Sequence, residues 1–84
     1  LIKWIKNIFR RKTILDDLSI VLVDKIGCGW YNLHSNNGVI YEFHYDEDGS
    51  IHIYHDGDIV FSSDDHSEAF SLYVTIYTLP GIHK

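Results

Sequence analysis

Apolar and polar residues alternate along the middle of the chain, from Tyr31 to Phe61. Three polar triplets interrupt the alternation: Asn36-Asn37-Gly38, Glu47-Asp48-Gly49 and His55-Asp56-Gly57. Strand side chains point to opposite faces with a period of two, so a slip of one residue moves the whole apolar set to the wrong face. That constraint selects the loop length. A three-residue loop, built as a type I turn followed by a glycine at positive φ, suits each triplet. It sets Tyr31 opposite Phe43, Leu33 opposite Tyr41, Tyr45 opposite Ile51 and Phe43 opposite Ile53. The third loop then sets Ile53 opposite Ile59 and Ile51 opposite Phe61.

One face so formed carries Tyr31, Leu33, Val39, Tyr41, Phe43, Tyr45, Ile51, Ile53, Ile59 and Phe61. The other carries Trp30, Asn32, His34, Ile40, Glu42, His44, His52, Tyr54, Asp58, Val60 and Ser62. A two-residue loop at Asp48-Gly49 would set Tyr45 against His52 and spoil the division. The pattern predicts a four-stranded antiparallel meander over about 29–35, 39–46, 50–54 and 58–62.

The flanks read as helical. Leu1, Ile5, Ile8 and Phe9 recur at helical spacing, with Ile2 and Trp4 beside them and the basic residues largely opposite. This predicts a basic amphipathic helix over about 2–11. Ile14, Leu15, Leu18, Val21, Leu22 and Ile26 form a second helical stripe. Thr13 suits its start, Asp16 and Asp17 the positive end of the helix dipole, and Lys25 and Gly27 its end, which gives a helix over about 14–26. Ile20-Val21-Leu22-Val23 is also a β-prone run, so a fifth strand is the alternative there. Downstream, Asp65 followed by Glu68 resembles a capping box. Ala69, Phe70, Tyr73, Ile76 and Tyr77 then mark a helix over about 66–79, stopped by Pro80-Gly81. A sheet with one apolar face needs a cover, and this helix is expected to supply it. The expected fold is a single α+β domain over 1–84.

Charge changes the picture at one place. The formal net charge is −5, but residues 1–12 hold five of the seven Lys and Arg residues and no acid. The remainder holds all 12 acids against Lys25 and Lys84. Residues 1–12 are expected to pack on the acidic domain. A membrane-surface anchor, with self-association as its variant, is the second reading of that segment, and the charged start of a signal peptide is the third, which Asp16 and Asp17 interrupt too soon. No apolar run reaches the roughly 20 residues that a spanning helix needs. A single cysteine, Cys28, excludes an intrachain disulfide and fits a reducing, cytoplasmic setting. The chain starts at Leu1 and lacks methionine, as expected of a chain without its initiator residue or of a processed piece.

Candidate chemistry is sparse. His44 falls directly across from His52, with Glu42 next along its strand, and two histidines and a carboxylate can hold a transition metal. The simpler reading is a pair of partly solvated histidines on a polar sheet face, and no metal or other cofactor is expected. Asp46-Glu47-Asp48-Gly49 lacks the twelve-residue calcium-loop pattern. No serine sits in a GxSxG elbow, and Gly27-Cys28-Gly29 is no phosphate loop. The chain is not expected to be an enzyme. Phosphate contacts need a basic surface, so direct nucleic-acid binding is disfavoured beyond residue 12.

What remains is a small acidic protein-binding module, inhibitor-like in the manner of an antitoxin, an immunity protein or a phage or mobile-element inhibitor, and steered to a basic partner surface. Its candidate contact residues are Trp30, Glu42, Glu47, Asp48, Tyr54, Asp56 and Asp58. Metal binding through the histidines, or membrane or assembly contact through 1–12, are the alternatives.

Overall fold

The computed structural model describes residues 13–81, and the expected helix over 2–11 lies outside them. A short helix α1 (Ile14–Asp17) leads into five strands, β1 (Ile20–Gly27), β2 (Trp30–Ser35), β3 (Ile40–Tyr45), β4 (Ile51–His55) and β5 (Asp58–Ser63), followed by helix α2 (His66–Tyr77). The strands form one antiparallel sheet in sequence order. The α+β class and the antiparallel meander are therefore as the pattern indicated. The strand count is not.

The second expected helix, 14–26, is mostly strand. Helix α1 lasts one turn, and the backbone leaves it at Ser19, whose φ is 57°. Thr13 and the acids do mark its start: the Thr13 backbone N–H donates to the Asp16 carboxylate at 2.9 Å. Beyond Ser19 the β-branched run Ile20-Val21-Leu22-Val23 takes over as edge strand β1, paired with β2. Gly27, read as a helix stop, instead pairs with Trp30 across a two-residue turn whose Gly29 has φ 76°.

Two of the three predicted hairpins form as drawn. Tyr31 faces Phe43 and Leu33 faces Tyr41; Phe43 faces Ile53 and Tyr45 faces Ile51. Their loops close through Ser35 N–H to Val39 O and Asp46 N–H to Ser50 O, each 2.8 Å. The third hairpin differs. Asp56 and Gly57 both have positive φ, 52° and 86°, which makes a two-residue loop in which His55 faces Asp58. Such a loop matches the twist of the flanking strands. Ile59 therefore sits opposite Tyr54, on the polar face and 58% exposed. A bulge at Val60 then restores the phase, so that Phe61 faces Ile53 and Ser63 faces Ile51. Asp48-Gly49 escapes the two-residue form because Ser50 holds the Asp48 carboxylate, by backbone N–H at 3.1 Å and hydroxyl at 2.7 Å.

Helix α2 covers the apolar face. Ala69, Leu72 and Ile76 are buried with Val23, Tyr31, Leu33, Phe43, Ile51 and Ile53, and Leu15 and Ile20 close the end beside β1. Burying one such large side chain contributes about 1.5–3 kcal/mol, so these residues carry the fold. Asp65 caps α2, accepting from the Ser67 and Glu68 backbone N–H groups at 2.9 and 3.3 Å. The expected reciprocal bond from Glu68 runs through Ser63, whose hydroxyl donates to Glu68 at 2.6 Å and accepts from Asp65 N–H at 3.2 Å. After α2, Pro80 returns to the sheet, and its carbonyl accepts from Val23 N–H at 2.9 Å, on the outer edge of β1.

The Tyr31 hydroxyl, 1% exposed as a residue, donates to Tyr73 at 3.5 Å, and Tyr73 donates to Tyr77 at 2.9 Å. Burial, with those hydrogen bonds behind it, holds the Tyr31 phenol far above the ordinary tyrosine range. Unfolded, the same group ionises near pH 10. Above that pH the unfolded chain binds fewer protons than the folded one, so stability falls as pH rises. Thermal melts across pH 8–11.5 are expected to show a decline from about pH 10 that is shallower in Tyr31→Phe. A Tyr31→Phe profile parallel to wild type would remove this account.

Candidate functional site

The face of the sheet away from α2 has no helix over it among the described residues. The register decides which side chains meet there. Asp24, Asn32, Glu42, Tyr54 and Ile59 lie in one row across all five strands. Trp30, His44, His52 and Ser62 form the neighbouring row across β2 to β5. Leu22, His34 and Ile40 form the row on the other side.

The centre of this face is aromatic. The Trp30 indole stacks on His44 with centroids 3.9 Å apart and planes 12° apart. Tyr54 lies 6.1 Å from Trp30 at 26°, and His52 lies 6.2 Å from Tyr54. Acidic groups lie beside the histidines. Asp46, just beyond β3, reaches His44 Nδ1 at 3.3 Å with one oxygen and His52 Nε2 at 3.2 Å with the other. His34 Nε2 lies 3.3 Å from Asp24. Glu42 is exposed and makes no ion pair or hydrogen bond among the described residues.

His44 and His52 do face one another, as the sequence indicated. The carboxylate that reaches both is Asp46, however, and Glu42 sits across from Tyr54. No group of three or more His, Cys, Asp or Glu side chains among the described residues is placed to hold a metal ion. The seven candidate contact residues do not form one site. Trp30, Glu42 and Tyr54 share the open face. Glu47 and Asp48 lie in the β3–β4 turn at one end of the sheet; Asp56 lies in the β4–β5 turn at the other, and Asp58 follows it as the first residue of β5. The Asp48 carboxylate serves its own turn, and the Ser50 hydroxyl and backbone N–H hold it below the usual carboxylate range.

Asp24 and Ile59 join the face without having been singled out as contact residues. The first became visible only once β1 was a strand, the second once the third loop lost a residue. An open depression of about 550 Å³ adjoins this face at the β3–β4 end, lined by Cys28, Gly29, His44, Tyr45, Asp46, Glu47 and Asp48. Cys28 is exposed there as a free thiol.

Electrostatics make the surface one-sided. The described residues contain all 12 acids of the chain and, among Lys and Arg, Lys25 alone. Lys25 is paired with Tyr31, on the α2 side of the sheet. Among the described residues, the open face thus offers aromatic rings, carboxylates and three partly buried histidines, with no permanent cation. None of the described helices is long and apolar enough to cross a membrane. Comparison of the chain with protein-family models, with curated proteins and with solved structures found no match.

Proposed function

We propose that this protein is a small, acidic, non-enzymatic binding module that engages a basic surface of another protein through the open face of its sheet, in the manner of an inhibitor. The observation that carries the reading is the company kept by Trp30, Tyr54 and Glu42. Two large amphipathic rings and a carboxylate with no partner among the described residues share a sheet face with no described helix over it. Aromatic residues concentrate at the centres of protein interfaces, and opposite potentials speed encounter and fix partner choice. A reducing cytoplasmic setting belongs to the same reading, since Cys28 is free and exposed.

The test begins with a partner captured by the full chain and then purified. Its affinity is expected to fall as salt rises, because exposed charges are screened beyond about 10 Å at 0.1 M salt. Neutralising Asp24 and Glu42 together, as Asn and Gln, is expected to weaken binding about tenfold, equivalent to some 1.4 kcal/mol. Neutralising Asp56 and Asp58 in the far turn should leave it within about twofold. Binding that ignores both salt and the Asp24/Glu42 change would refute the proposal.

A further inference from the structure

We infer that the centre of the open face is an arginine site: a guanidinium from the partner lies against Trp30 and Tyr54 and pairs with Glu42. This rests on the reading of that face as the binding surface and names what the face recognises. Three features lead to a guanidinium rather than to a cation in general.

First, the rings are nearly parallel, 26° apart with centroids 6.1 Å apart, so they offer aligned stacking faces rather than a cage of crossed rings that closes round a point charge. Arginine is planar and weakly hydrated, so it stacks on such a surface, whereas an ammonium keeps its water more tightly. Second, these faces are held before any partner arrives. One face of Trp30 is occupied by His44 at 3.9 Å, and His44 is itself positioned by Asp46 at 3.3 Å. Little ordering is left for binding to supply. Third, Glu42 is directly opposite Tyr54 on the neighbouring strand and has no partner among the described residues. A carboxylate accepts two parallel N–H bonds from one guanidinium, a geometry that lysine cannot match. Asp24 and Asp46, on the same side of the sheet, are engaged with His34, His44 and His52, which leaves Glu42 as the available anion.

The test uses the full chain with fluorescein-labelled hexa-arginine and hexa-lysine, followed by anisotropy at low and at physiological salt. Hexa-arginine is expected to bind about 3- to 30-fold more tightly than hexa-lysine, the span that a stacked and paired cation supplies. Glu42→Gln and, separately, Trp30→Leu should each erase most of that preference. Glu42 is exposed, so Glu42→Gln keeps the test valid even if Trp30→Leu fails to fold. Equal binding of the two peptides overturns the arginine site while leaving an acidic binding face standing. An arginine preference that survives Glu42→Gln places the site elsewhere and also overturns it. Binding of neither peptide overturns the acidic-face reading itself.

Discussion

Replacing Phe43 with alanine is expected to cost about 3–5 kcal/mol, the usual loss for a large aromatic removed from a closed core. Phe43 is fully buried at the middle of the central strand, paired with Tyr31 on one side and Ile53 on the other. Its ring meets Tyr31 edge-on at 6.0 Å, and α2 closes over it through Ala69, Leu72 and Ile76. A chain of this size has a total stability of roughly 4–13 kcal/mol, so the loss is a large fraction of the whole. A fall in melting temperature of about 12 °C or more should follow, up to complete unfolding. Ile59→Ala is the matched control. It removes an aliphatic chain from the same sheet, but from the exposed face, and should shift stability by no more than about 0.5 kcal/mol. If the two variants melted alike, the division of faces and the bulge at Val60 would both be wrong.

Gly81→Ala is expected to have the next largest effect, and to change association as well as stability. Gly81 has φ 134°, and a Cβ there would overlap the Val23 carbonyl oxygen and sit 2.6 Å from its carbon. No rotation of a methyl relieves a clash with backbone. The Pro80-Gly81 segment would have to lift away, breaking the Val23 N–H to Pro80 bond and loosening Leu79, which packs at the core margin. The expected cost is about 1–3 kcal/mol, from a lost hydrogen bond, lost packing and backbone strain. The edge of β1 would then stand open. An unguarded strand edge is a template for another chain, so the variant should also sediment as dimers or larger species at concentrations where wild type does not. The other edge strand, β5, has its own protection, a bulge at Val60 with Asp56, Asp58, Asp64 and Asp65 at its ends. A Gly81→Ala variant with wild-type melting and sedimentation would show that the C-terminal segment does not guard β1.

How far the sequence revealed this fold depends on where its period of two survives. From Tyr31 to Ile53 the alternation is unbroken, and there the register, the facing pairs and the buried set can be read from the chain. Strand β1 could not be read in that way. Bulges at Val21 and Ile26 insert an extra residue, so its buried apolar residues, Ile20 and Val23, fall three apart. That is helical spacing, and capping residues on either side completed the wrong picture. The third hairpin was misread for a related reason: a shorter loop and a later bulge cancel, leaving Phe61 on the core side while moving Ile59 off it. The extra residues in these irregularities, Val21, Ile26 and Val60, are all apolar and exposed, so composition gave no warning of them.

The candidate site divides along the same line. Trp30, Glu42, His44, His52 and Tyr54 could be placed together because they lie on the regular part of β2, β3 and β4. Asp24 could not, because it belongs to the misread strand. Asp46 could not, because a loop carboxylate has no fixed phase and only the folded turn aims it at two histidines. The turn acids Glu47, Asp48, Asp56 and Asp58 were grouped by charge alone, and geometry sends them to opposite ends of the sheet.

The most direct measurement is a residue-by-residue map of amide and indole shifts in the labelled full chain as hexa-arginine is added. The perturbed signals are expected to cluster on Asp24, Trp30, Asn32, Glu42, His44 and Tyr54. Shifts gathered on α2, or on the Glu47-Asp48 and Asp56-Asp58 turns with the sheet face silent, would contradict the open face as the binding surface.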